Sequence, residues 1–192
     1  MKRIISYFIS VILLFTILGG MTMTMTSCSK GTTYYISSSA GNDSNNGTSS
    51  KTPLKSFEKF KTYTFKPGDK VLLKRGDIWN ERLLITGTGS KYAWIYIGAY
   101  GDKKLNKPVI SLNQQSDDIC ILVQDLVNNP DKKYRQPISY VQIDGLDIRN
   151  SFLGIYFRFV LTSGNKGFKV TNCDFKNMFC EKWINSFDTL DT

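Results

Sequence analysis

The chain has 192 residues, 41% of them hydrophobic, with 25 basic against 16 acidic side chains and a net charge of +9, which is enough for one domain with a sizeable core. It contains no histidine, which excludes a Ser-His-Asp triad, a histidine general base and histidine-ligated zinc. The basic balance favours acidic partners by steering rather than by specificity.

Residues 1–27 open with Lys2 and Arg3, continue with an apolar run from Ile4 to Leu18, and end in an alternating Met/Thr stretch before Cys28. The run is short of the roughly 20 residues of a membrane span, so it is expected to be a secretory signal rather than part of the fold. Met25-Thr26-Ser27-Cys28-Ser29-Lys30 resembles a bacterial lipoprotein processing site, with Met25 departing from the usual leucine. That implies lipidation of Cys28, a membrane partner through the lipid anchor, and a cell-envelope location; a protein cleaved nearby and released is the alternative. An exported chain of this charge is expected to meet anionic polysaccharide, not nucleic acid. Of the remaining cysteines, Cys120, Cys173 and Cys180, an odd number cannot all pair internally. Buried thiols are expected, with a Cys173–Cys180 bridge as the alternative.

Residues 28–33 form a tether, followed by a strand at 34–37 and a Ser/Gly/Asn/Asp-rich loop at 38–51. Thr52-Pro53 has the chemistry of a helix start, and Leu54, Phe57 and Phe60 recur at three-residue intervals, so a short amphipathic helix is expected over 53–61. Beyond it come short β-rich runs at 70–73, 82–86, 94–97, 109–112, 119–123, 140–143, 146–148, 154–160 and 168–175, separated by Gly, Asn and Pro. A sandwich, a barrel or a solenoid would each give that pattern.

An internal repeat decides among them. Val141-Gln142-Ile143-Asp144-Gly145-Leu146-Asp147-Ile148-Arg149-Asn150 aligns without a gap on Phe168-Lys169-Val170-Thr171-Asn172-Cys173-Asp174-Phe175-Lys176-Asn177. Such a period suits a parallel β-helix, in which each inward side chain meets its counterpart one coil on and an asparagine closes each turn. Asn150 and Asn177 are therefore expected to stack as a structural ladder.

The stretch from Tyr34-Tyr35-Ile36-Ser37 through Gly41-Asn42-Asp43-Ser44-Asn45-Asn46-Gly47-Thr48 to Lys51-Thr52-Pro53-Leu54 resembles the opening of right-handed parallel β-helix proteins of the pectate-lyase-like superfamily. Many polysaccharide lyases and some glycoside hydrolases of Bacteroidetes begin this way. Lys66-Pro67-Gly68-Asp69-Lys70-Val71-Leu72-Leu73, Ile97-Gly98-Ala99-Tyr100-Gly101 and Lys107-Pro108-Val109-Ile110 fit the same resemblance in the same order. It implies an all-β, right-handed parallel β-helix over 34–192 whose 53–61 helix plugs the first rung. It also implies an incomplete C-terminal end, because relatives continue for several coils and carry their active clefts there. The activity implied is that of a polysaccharide lyase or glycoside hydrolase, with a non-catalytic glycan-binding or adhesin-like solenoid, or an inactive gene fragment, as alternatives; a monomer is expected.

No motif fixes a catalytic base. The stacked carboxylates of Asp147 and Asp174 could share calcium through hard oxygen ligands, or be neutralised by Arg149 and Lys176 as a charge grid. The basic cluster of Lys51, Lys55, Lys59, Lys61, Lys66, Lys70, Lys74 and Arg75 could contact acidic glycan or be a solvated face. Tyr92, Tyr134 and Tyr156 are candidate sugar-stacking rings, whereas Trp79 and Trp94 are expected in the core.

Overall fold

The computed structural model describes residues 30–113, 118–124, 138–158 and 165–179. The expectations for Cys28, Cys180, Tyr134 and the signal and C-terminal segments lie outside these residues.

The fold is a parallel β-helix. Its strands are β1 Thr33–Ile36, β2 Lys70–Lys74, β3 Ile78–Trp79, β4 Leu83–Thr86, β5 Ile95–Tyr100, β6 Val109–Ser111, β7 Ile119–Gln124, β8 Ser139–Asp144, β9 Asp147–Ser151, β10 Leu153–Arg158, β11 Lys166–Thr171 and β12 Asp174–Met178. They form three sheets, ordered β1-β2-β5-β8-β11, β4-β7-β10 and β3-β6-β9-β12, and every pairing between these strands is parallel. The chain visits one sheet, then the next, and returns a coil later.

The register follows the repeat. Val141 pairs with Phe168, Ile143 with Val170, Asp147 with Asp174 and Ile148 with Phe175. Because side chains alternate across a strand, this register lines up the apolar ones inside: Val71, Ile97 and Ile143 form one fully buried column, and Leu83 and Ile121 belong to another. The run expected as one strand over 168–175 is two, because Asn172 adopts a positive φ of 51° and turns the chain from one sheet to another. The two-residue β3 was not anticipated.

Asn150 and Asn177 also adopt positive φ, 50° and 53°. Asparagine tolerates this region better than most residues, since its short side chain can bond locally. Asn177 Nδ2 donates to Asn150 Oδ1 at 3.0 Å, and Asn150 Nδ2 donates to Ser111 Oγ at 2.8 Å one coil earlier.

The helix expected over 53–61 is not formed; a single 3-10 turn at Glu58–Lys61 replaces it. The preceding backbone is claimed by other partners. Leu54 N–H donates to Tyr35 C=O and Leu54 bridges Ile36 in parallel, while Asp43 Oδ1 accepts the N–H groups of Lys55 and Ser56 at 2.9 Å each. The segment nevertheless covers the first rung, as Leu54, Phe57 and Phe60 are all buried. Phe60 packs against Tyr34 and Phe65 with ring centroids 5.6 and 5.4 Å apart. Leu54 lies along the free edge of β1 and Phe65, bridged to Gly87, along that of β4, so neither edge is left bare. Cys120 and Cys173 are free thiols, both pushed above the usual thiol range chiefly by burial. Among the described residues no helix is long and apolar enough to cross a membrane.

Candidate functional site

The outward face of the five-stranded sheet carries the site. Register places Thr33, Lys70, Tyr96, Gln142 and Lys169 in one outward column, one residue per coil. Beside it the Ser90–Ala93 turn, closed by reciprocal backbone hydrogen bonds of 2.9 and 3.1 Å, projects Tyr92 and leads into Trp94. Together with Lys30, Gly31 and Gly68 they enclose an open groove of about 580 Å³.

The aromatic rings are held by specific contacts. Trp94 packs edge-on against Tyr140 at 5.5 Å, and Lys169 Nζ sits 4.6 Å from the Trp94 ring centre. Trp94 is thus half-buried on the groove wall rather than in the core as expected, because the strand begins only after it, at Ile95. Trp79, by contrast, is buried and stacks on Phe57. Tyr92 is 88% exposed, with Lys91 Nζ 5.5 Å from its ring centre.

Tyr96 lies across the sheet because residue 98 is glycine: a Cβ there would come within 2.4 Å of the Tyr96 ring. The phenol reaches Asp144 Oδ2 at 2.9 Å, and Thr171 Oγ1 and Asn172 Nδ2 donate to Asp144 Oδ1 at 2.7 and 2.8 Å. Burial alone would raise the Asp144 carboxyl, but these three donors outweigh it and hold the group below the usual carboxylate range. Tyr96 is pushed up to about 12 by burial first and by the Asp144 bond second. The groove floor is therefore fixed, with an ionised carboxylate and a neutral phenol.

Asp69 braces the rim. Buried itself, it accepts Thr32 N–H at 2.7 Å, Tyr63 OH at 2.8 Å and Lys66 N–H at 2.9 Å.

The residues singled out from sequence distribute differently. Of the basic cluster, Lys70 lines the groove. Lys59 lies 4.5 Å from the Tyr34 ring centre, Lys61 pairs with Glu58, and Lys74 donates to Ser39 Oγ at 3.2 Å, so the cluster is no single surface. Tyr156 is on the outward face of the β4-β7-β10 sheet, partly exposed.

Asp147 and Asp174 are adjacent, but cations already occupy them. Arg149 donates twice to Asp147, at 2.8 and 2.5 Å, Lys176 reaches it at 2.8 Å, and Lys107 binds Asp174 at 3.0 Å. Arg149 foremost, then Lys176, outweighs burial and holds Asp147 below the usual carboxylate range. The calcium reading is not supported: among the described residues no group of three or more metal-ligating side chains converges. The charge-grid arrangement is present, although Asp147 is buried beneath its partners rather than on the surface.

Sequence reasoning missed the groove as a unit. The signal available was the outward column itself, but it becomes readable only once coil lengths are known.

No protein-family model matches the chain. It is 37% identical over 145 residues to a lacto-N-biosidase of Bifidobacterium longum subsp. longum, an alignment covering 69% of this chain and 9% of that protein. Two crystal structures of a lacto-N-biosidase of glycoside hydrolase family 136 from Eubacterium ramulus match at 26% identity with TM-scores of 0.47 and 0.46, covering 77% and 76% of this chain and 27% of theirs. The chain thus spans less than a tenth of the curated relative and about a quarter of the solved ones.

Proposed function

We propose that this chain is the N-terminal, glycan-contacting part of a carbohydrate-active parallel β-helix protein, exported and tethered to the cell envelope through lipidated Cys28. The observation that carries the glycan reading is the groove formed by Trp94, Tyr92 and Tyr96 between Lys70 and Lys169. Aromatic faces accept the C–H face of a pyranose, and ammonium groups recognise a carboxylate or sulfate on it. The relative named for cleaving a glycan supports the substrate class, and the lysines favour an acidic sugar within it.

Binding rather than bond cleavage is the role we assign to this segment. Asp144, the carboxylate bonded to Tyr96, carries three hydrogen bonds and is held ionised. It is built to orient the platform, not to deliver a proton.

Isothermal titration of the purified chain with galacturonate and sulfated oligosaccharides tests this. Saturable binding that Trp94→Ala weakens about tenfold is expected, since losing one stacked ring removes about 1 kcal/mol or more. A folded protein that binds none of these glycans, or whose affinity is indifferent to Trp94→Ala, overturns the assignment.

A further inference from the structure

The Trp94 groove opens at the end of the fold that leads to Cys28. Lys30 and Gly31 line it, and in the sequence only Ser29 and Lys30 separate Cys28 from Gly31. Gly31 is already held by the first coil: a Cβ there would come within 1.9 Å of the Gly68 carbonyl carbon. Thr32 follows, its N–H donated to Asp69 Oδ1 at 2.7 Å and its C=O accepting Lys70 N–H at 2.8 Å. The chain between Cys28 and Gly31, fully extended, spans at most about 11 Å. An acyl anchor on Cys28 therefore keeps the mouth of the groove at the bilayer surface.

The chemistry of the mouth suits that position. Lys30, Lys70 and Lys169 line the groove, and among the described residues no carboxylate does. Tyr92 stands exposed at the rim with Lys91 beside its ring. Basic side chains next to tyrosine and tryptophan match an anionic headgroup layer, where such rings keep one end apolar and the other wet. The outward column starts at Thr33, on this anchored side, and continues through Lys70, Tyr96 and Gln142 to Lys169. Each step is one strand spacing of about 4.8 Å, so a sugar chain entering beside Lys30 meets Lys70 first and Lys169 last.

We propose that the ligand of this groove is carried by the membrane itself: an anionic sugar headgroup, sulfated or carboxylated, on a lipid of the leaflet that holds Cys28. The inference rests on the acidic-glycan reading of the groove and on the lipid anchor, and it adds where the glycan comes from. Two attachments to one surface make the second intramolecular, so a short tether gives membrane-borne sugar a high effective concentration at the groove, an advantage that a free polymer lacks.

The mature Cys28→Ala chain, which carries neither signal nor lipid, isolates the groove from the anchor. It is floated with phosphatidylcholine vesicles containing sulfatide, galactosylceramide or phosphatidylglycerol; the first two share a galactose and differ by its sulfate. Preferential co-flotation with the sulfatide vesicles is expected, and Trp94→Ala is expected to weaken it about tenfold, the value of one stacked ring. Should that variant misfold, Tyr92→Ala, at the exposed rim, reads the same site through a smaller loss.

Binding to galactosylceramide or phosphatidylglycerol vesicles that equals binding to sulfatide overturns the proposal, because galactose or charge alone then suffices. Sulfatide binding indifferent to both Trp94→Ala and Tyr92→Ala overturns it as well. Calorimetric titration of the same chain with a free galacturonate oligomer separates the two readings. Trp94-dependent binding of the oligomer without binding to sulfatide vesicles leaves the acidic-glycan groove standing and removes its membrane-borne source; if neither binds, both fall.

Discussion

The Tyr96 phenol crosses over Gly98 to donate to Asp144 at 2.9 Å, two positions beyond its own partner in the adjoining strand. The missing side chain at 98 is what lets the ring lie flat. Gly98→Ala is therefore expected to lift the ring, weakening acidic-glycan affinity about tenfold while unfolding remains cooperative. Calorimetric titration beside thermal melts checks this; unchanged affinity in the alanine variant would show that the flat ring is not the platform.

The interior columns should rank the cost of truncation by burial. Ile143 is fully buried between Ile97 and Val170, so Ile143→Ala is expected to cost about 2–5 kcal/mol in urea unfolding. Val170 is 41% exposed at the last described rung, and Val170→Ala is expected to cost less than about 1 kcal/mol. Equal losses at the two positions would contradict the columnar core.

Asparagine ladders combine two contributions that substitution can separate. Asn150→Gly keeps the positive φ at no steric cost but removes the amide bonds to Ser111 and Asn177, whereas Asn150→Ala loses both. The alanine variant should be less stable than the glycine one by about 1 kcal/mol. Denaturant midpoints of the two variants measure the difference directly, and a glycine variant that is the weaker of the two refutes the conformational part.

The buried Asp147 makes stability depend on pH in a definite direction. Its folded pKa lies below the unfolded value of about 4. The stability it contributes is thus fully present above that value and is lost as pH falls through the folded pKa. Urea midpoints measured downward from pH 6 should fall more steeply for wild type than for Asp147→Asn, whose stability is lower at neutral pH by about 1–3 kcal/mol, the value of its hydrogen bonds to charged partners. Parallel pH curves for the two proteins would exclude this role.

The proposed envelope tethering rests on one thiol. If the proposed lipidation holds, Cys28→Ala in the exporting cell is expected to move the protein from the membrane pellet to the soluble fraction, because acyl chains on that thiol would be the anchor. Undiminished pelleting of the alanine protein removes the lipid anchor from the proposal.

The legibility of the fold in the sequence tracks where the coils are uninterrupted. From Val141 to Asn177 two coils repeat without a gap, and both register and inward face could be read directly. Ile97, however, meets Ile143 only after 46 residues, a coil lengthened by inserts that hides the same periodicity. The spacing of Leu54, Phe57 and Phe60 correctly marked buried positions but not their conformation. A three-residue interval also fits an irregular cap, and the carboxylate of Asp43, remote in sequence, captures the amides a helix needs. The aromatic groove gathers one residue from each of several coils, and Trp94 looked like core because hydrophobicity alone does not say which face of a sheet a ring occupies. The Arg149 and Lys176 partners of Asp147 were legible, since two-residue spacing puts them on one face; their burial of the carboxylate was not.

All-parallel pairing also dictates how the molecule can assemble in time. Among the described strands no ladder joins residues closer than 26 apart in sequence: Val71 waits for Ile97, 26 residues on, and Tyr34 for Val71, 37 residues on. Each rung must close a loop of that size before gaining any ladder, which makes folding slow and contact order high. The aromatic cap within residues 34–65 is the most local cluster available, so it is the natural nucleus onto which later coils zip in order. A chain threaded through a membrane N-terminus first would deliver its template ahead of the strands that need it.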